Sequence, residues 1–208
     1  MRKITWSQHV AYAVGLLASD GCLGTRNYID LTSKDLEQIE NFRKALKLKS
    51  KIGMKKGLNN NISYRTQLRN KVLYDFLTGI GITPAKSKTI GSLSIPDKYF
   101  FDFLRGTFDG DGTFYSYWDP RWKSSFMFYT VFISASQKHI NWLQSKLYDL
   151  LGVKGHITTN KNNACLQLKY GKTESLPILE KMYHKKCDIY LSRKRLKILS
   201  VLAMIDKP

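Results

Sequence analysis

Two aspartates end two copies of one short pattern. Residues 13–21 read AVGLLASDG and residues 104–112 read LRGTFDGDG, closing on Asp20-Gly21 and Asp111-Gly112. The two acids lie 91 residues apart, close to half of the 208-residue chain. A helix C-terminus carries partial negative charge and disfavours a carboxylate. Two carboxylates brought together at two such ends would force one to stay protonated. A divalent cation removes that conflict. All-oxygen ligation suits Mg²⁺, with Mn²⁺ as the alternative ion. Such a pair beside a basic surface suits in-line attack of water on a phosphodiester. A single Asp-Gly at a helix end is a common stop signal. The duplication at half-chain spacing is what points to a shared site.

Other chemistries fit less well. DGDGTFYSYWDP invites a calcium-loop reading, but Phe114 falls where the loop needs Gly and Pro120 where it needs Glu. No phosphate-binding G-x-x-x-x-G-K-[ST] exists, and His9, His139, His156 and His184 sit in no recognisable triad setting. His184 and Cys187 form one H-x-x-C without the second close pair that zinc needs. Three widely spaced cysteines (Cys22, Cys165, Cys187) argue against a disulfide framework and fit a reducing, intracellular compartment.

The acids need helices to hold them. Thr5 and Gln8 can form a capping box, and Val10, Val14 and Leu17 give helical spacing up to Asp20. Gly21 suits a left-handed stop. In the second half Ser94 and Pro96 mark the start, Phe100, Phe103, Leu104 and Phe108 keep the period, and Gly112 ends it. Gly15, Ala18, Gly106 and Gly110 are small enough for the two helices to approach closely about a pseudo-twofold axis. Alternating strands follow in each half, at 28–32 and 126–134, then helices through Leu36–Leu46 and Ile140–Leu150. Return strands SYRTQLR (63–69) and ACLQLKY (164–170) pair Gln67 with Gln167 and Arg69 with Lys169. Helices at about 71–79, 173–186 and 192–204 complete the chain. Residues 83–96, rich in Ser, Thr, Lys and Pro, read as a linker. The expected fold is α+β: a repeated αββαββα unit with antiparallel sheets, residues 1–90 forming one half and 91–208 the other.

Charge names the partner class. Thirty-four Lys and Arg against 16 Asp and Glu leave +18, a surplus that favours a polyanion such as nucleic acid. No run is long enough to span a bilayer, the N-terminus has no signal-peptide pattern, and the basic residues are spread along the whole chain, which argues against membrane binding. Alternation puts Arg65, Gln67 and Arg69 on one strand face, and Cys165, Gln167 and Lys169 on the other return strand's matching face. Those side chains can contact phosphates and base edges.

The two nonapeptides resemble the LAGLIDADG motif, and nearly the whole chain resembles a single-chain, two-motif LAGLIDADG homing endonuclease. That resemblance implies a monomer whose antiparallel sheets form a saddle on double-stranded DNA. It also implies a double-strand break with short 3′ overhangs at a long, asymmetric site. Asp20 and Asp111 would be the metal ligands and catalytic acids, with the carbonyls of Ser19 and Gly110 as further ligands. Arg69 and Lys169 are the positional matches for basic catalytic residues, with Lys71 and Lys172 as alternatives. Expected DNA contacts are Tyr28, Asp30, Thr32, Arg65, Gln67, Arg69, Tyr117, Arg121, Gln167 and Lys169. Members often carry a Gln shortly after the second strand, and the segment LTSKD (31–35) puts Ser33 near that place. Ala18 and Asp109 occupy a motif position that is not the ligand, so their difference is expected to affect packing, as are the polar Arg105 and Thr107. Two other functions share this architecture: an intron maturase binding RNA to assist splicing, and a DNA-binding regulator without catalysis. Retention of both acids favours cleavage. An intein does not fit, for want of a His-Asn ending and flanking splicing blocks.

Overall fold

The structure, a computed structural model, describes residues 4–57, 61–122, 125–159 and 165–205. In chain order the first half contains α1 (Gln8–Ser19), β1 (Gly21–Gly24), β2 (Tyr28–Ser33), α2 (Leu36–Leu46), β3 (Ile52–Lys56), β4 (Ile62–Arg69) and α3 (Lys71–Gly79). The second contains α4 (Phe100–Asp111), β5 (Thr113–Trp118), β6 (Phe126–Ser134), α5 (Gln137–Leu151), β7 (His156–Thr159), β8 (Leu166–Tyr170), α6 (Lys172–Met182) and α7 (Ser192–Ile205). Two four-stranded antiparallel sheets result, in the orders β1-β2-β4-β3 and β5-β6-β8-β7. The repeated αββαββα unit of an α+β fold is therefore present, with α7 added at the end. The expected strand start at Ala164 lies outside the described residues.

Strand alternation sorts the faces. Ile29, Leu31, Phe128, Phe132, Leu168 and Tyr170 are fully buried beneath the helices. Arg65, Gln67, Tyr115, Tyr129 and Lys169 occupy the opposite, partly exposed face. The core runs through both halves by way of α1 and α4, whose buried Tyr12, Leu16, Phe103 and Leu104 join one apolar cluster.

Several local expectations change. The start of α1 is capped by Ser7, which accepts from the Val10 N–H, and not by a Thr5–Gln8 box. Neither Gly21 nor Gly112 is left-handed. Each is needed because a Cβ would strike the preceding helix turn, Leu17 Cα at 2.6 Å and Phe108 Cα at 2.7 Å. Residues 83–96 are no solvated linker, since Ile90, Leu93 and Ile95 are core residues and Lys86 is buried. α6 ends at Met182, short of 186, because the buried Arg105 guanidinium takes the carbonyls of Met182 and Ile189 and holds the segment between α6 and α7 in a non-helical path. The register also shifts the repeat. Cys22, two residues past Asp20, aligns through Asp30 with Gln67, while Thr113, two past Asp111, aligns through Val131 with Lys169. Gln67 thus corresponds to Lys169, and Arg69 is not its counterpart.

Candidate nuclease centre and nucleic-acid interface

The two motif helices touch backbone to backbone. A Cβ on Gly15 would lie 2.1 Å from the Phe103 carbonyl oxygen, and one on Gly106 would lie 2.1 Å from that of Tyr12. Only glycine permits this approach. It delivers Asp20, the C-cap of α1, and Asp111, the last residue of α4, to the same place. Oδ2 of Asp20 lies 3.1 Å from where a Gly110 Cβ would stand, one residue from Asp111.

The electrostatics follow from that crowding. Burial, with Asp111 beside it, pushes the Asp20 carboxyl up from 3.8 to about 6. Burial also raises Asp111, against the pull of Lys86 and Lys194. These two lysines escaped the sequence reading, and each closes one motif helix. Lys86 Nζ donates to the carbonyls of Ser19 (3.0 Å) and Gly21 (2.7 Å). Lys194 Nζ donates to those of Phe108, Asp109, Gly110 and Gly112 at 2.5–3.2 Å. A buried ammonium at a helix C-terminus neutralises its partial negative charge, which otherwise opposes the carboxylate there. Burial lowers the pKa of both, Lys194 to about 8, while neighbouring acids act the other way. A signal for Lys194 existed, because it shares a helical stripe with the buried Ile198 and Val201. Lys86 had none, lying in a polar stretch.

Gln38 is the other residue sequence reasoning missed. Its Nε2 donates to Asp20 Oδ2 at 2.7 Å. Ser33, placed by sequence near this role, instead donates to Gln38 Oε1 and accepts from the Asp35 N–H, so it acts on Gln38. The second half differs. His139, three residues past the α5 N-cap as Gln38 is past that of α2, pairs with the Gly91 carbonyl at 2.8 Å. Among the described residues no side-chain hydrogen bond reaches Asp111. Ala18 and Asp109 differ more than in packing. Asp109 is fully buried, accepts from Tyr12 Oη and the Leu191 N–H at 2.8 Å each, and is raised to about 6 chiefly by burial. It thereby ties the segment leading into α7, and so Lys194, to α4.

A metal has a fitting donor set here. Two crowded carboxylates, Asp20 pushed up by burial and by Asp111 beside it, and the adjoining carbonyls of Ser19 and Gly110 are all oxygen. Lys86 and Lys194 share those carbonyls, so the carboxylates are the principal donors.

The basic candidates lie at different distances from the acids. Arg69 is exposed and aligns through Tyr28 with Gly24, about 13 Å along the strand direction from Asp20. Lys169 aligns with Thr113, two residues from Asp111. Lys71 pairs with Asp75 on the surface of α3. Around Asp30 the structure gathers four of the expected contact residues. Arg65 (2.5 Å), Gln67 (2.9 Å), Thr32 (3.1 Å) and Tyr28 (3.3 Å) all donate to its carboxylate. Asp30 therefore orients the others, and burial raises its pKa. In the second half Tyr117 stacks with Tyr115 and Tyr129, and Arg121 pairs with Asp119 in the β5–β6 turn. Gln167 and Lys169 share the outward face of β8.

This architecture has known counterparts. The chain is similar over its whole length to the meganuclease I-SmaMI bound to uncleavable DNA, covering 92% of that chain at 14% identity with a TM-score of 0.65. It is similar to the LAGLIDADG meganuclease I-AabMI bound to uncleaved DNA over 96% of this chain and 91% of that one, at 13% identity and a TM-score of 0.65. The N-terminal LAGLIDADG domain of DUF199/WhiA matches over 88% of this chain and 85% of its own, at 16% identity and a TM-score of 0.57. Neither a protein-family model nor a curated protein matches the sequence. The protein thus has the LAGLIDADG homing-endonuclease fold. Among the described residues no helix is long and apolar enough to cross a membrane.

Proposed function

We propose that this protein is a monomeric, sequence-specific, Mg²⁺-dependent DNA endonuclease that makes a double-strand break with short 3′ overhangs at a long, asymmetric site. The observation that carries this reading is the convergence of Asp20 and Asp111 at the abutting ends of α1 and α4. A carboxylate pair at the ends of two helices that carry sheets with outward faces, in a chain of charge +18, suits a phosphodiester substrate. Asp20 and Asp111 would hold the metal, which when bound supplies a water of lowered pKa and neutralises charge at the phosphate. The chain's own residues prepare the place. Gln38 fixes one oxygen of Asp20, and Lys86 and Lys194 keep positive charge beside both acids. The Asp30 cluster and the outward face of β8 lie on the sheet faces that would meet DNA.

A second reading, a DNA-binding protein that does not cut, rests on the asymmetry of the site: Gln38 donates to Asp20, whereas among the described residues no side-chain hydrogen bond reaches Asp111. The two separate in one experiment. A randomised duplex library is incubated with Mg²⁺ and either wild type or Asp20→Asn, and the cut ends are sequenced. One long site with 3′ overhangs, lost in the variant, supports the endonuclease. Salt-sensitive binding without cuts supports the regulator, and RNA is then the next ligand to test for a maturase.

A further inference from the structure

The outward faces of the two sheets differ in kind. Around Asp30 the first sheet presents a charged, hydrogen-bonding cluster. The second presents three tyrosines. Tyr115 lies opposite Tyr129 across the β5–β6 pair, with ring centroids 5.3 Å apart, and Tyr117 joins them at 6.2–6.4 Å. The rings are nearly parallel, with interplanar angles of 5–17°. Three near-parallel rings packed on one another form a contiguous aromatic surface, with Tyr117 41% exposed. Met127 and Ile133 extend the same face as far as Gln167 and Lys169 on β8, so its β5–β6 part is apolar edges with a few hydroxyls. In the major groove the base feature that meets an apolar side chain is the thymine C5-methyl group.

We infer that the Tyr115–Tyr117–Tyr129 stack is a specificity-determining surface that reads thymine methyl groups. The half of the target under the β5–β8 sheet is then thymine-dependent, and the half under the Asp30 cluster is read by hydrogen bonds. This rests on the DNA-binding reading above. The stack is fixed before binding, so its contacts are made without ordering flexible side chains.

The test replaces thymidine by deoxyuridine in one half of the selected target at a time, which removes the methyl and leaves the pairing edge. Affinity is read by fluorescence anisotropy. Wild type should bind about fourfold more weakly per contacted methyl lost in one half, and within about twofold of the original when the other half is changed. Tyr115→Ser/Tyr117→Ser should erase this difference, and Tyr115→Phe/Tyr117→Phe should keep it. The Phe pair, which retains the stack, guards against a folding artefact. Tight, selective binding with equal or no deoxyuridine effect in both halves overturns the inference and leaves DNA binding standing. Methyl sensitivity surviving in the Ser pair also overturns it. Absence of selective duplex binding by wild type removes the DNA reading itself, and the inference with it.

Discussion

Substituting Gly106 by alanine tests the geometry on which the site depends. The added Cβ would stand 2.1 Å from the Tyr12 carbonyl oxygen and 3.1 Å from Gly15 Cα. Both obstacles are backbone atoms of α1, so no side chain can swing aside. Ordinary contact begins near 3.4 Å, and relief requires the helices to part by about 1.3 Å. Overpacking of this kind costs about 1–3 kcal/mol. For a chain of this size about 2 kcal/mol lowers Tm by roughly 4–8 °C. The same parting moves Asp111 relative to Asp20, and a misplacement of about 1 Å can cost about a hundredfold in rate. Gly79→Ala is the control, because nothing lies within 4 Å of its Cβ and its backbone is helical. It should leave cleavage intact and raise stability by about 0.5–1 kcal/mol. Thermal denaturation of both variants, followed by single-turnover cleavage of the selected target, gives the answer. An unchanged Tm and rate in Gly106→Ala would refute the close-packed helix pair as the source of the site's geometry.

Asp20→Asn should stabilise the metal-free protein. Its carboxyl titrates near 6 when folded and near 3.8 in the open chain, so folding grows less favourable as pH rises between those values. At pH 7.5 the variant should gain about 1–3 kcal/mol in urea denaturation, with a shallower slope of stability against pH. Asp109 also titrates near 6 and keeps part of that slope in place. Lys194→Met strips the donor from four carbonyls, three of them in buried contacts, and should cost about 3 kcal/mol by the same assay. A loss under about 0.5 kcal/mol would mean that water replaces the ammonium there. Arg69→Ala, remote from the acids, should weaken DNA binding at every sequence, lower the slope of log K against log salt by about one, and leave the rate at saturation unchanged. A slower rate at saturation would restore Arg69 to the chemistry.

The sequence carried the repeat because both motifs obey one rule: small residues where helices meet and an acid where each ends. It carried the strands because Ile29 and Leu31 alternate with polar neighbours and β6 is almost wholly β-branched and aromatic. Local signals failed where tertiary contacts decide. Gly21 and Gly112 looked like conformational stops and are instead close-approach positions. The stretch 83–96 looked like a linker by composition, yet Lys86 reaches from it to the end of α1. The second-half return strand was matched by its Gln-Leu-basic letters, whereas the ladder aligns Lys169 with Gln67. Gln38 went unseen because a polar residue in the first turn of a helix ordinarily faces water, and only the packed structure turns it toward Asp20.

The most direct measurement is cleavage of the selected duplex, each strand separately end-labelled, by wild type, Asp20→Asn and Asp111→Asn with Mg²⁺, alongside binding at matched salt. If the two acids form one divided nuclease centre, wild type cuts both strands and neither variant completes the double-strand break. Both variants should still bind with wild-type affinity. A normal double-strand break by either variant would contradict the account.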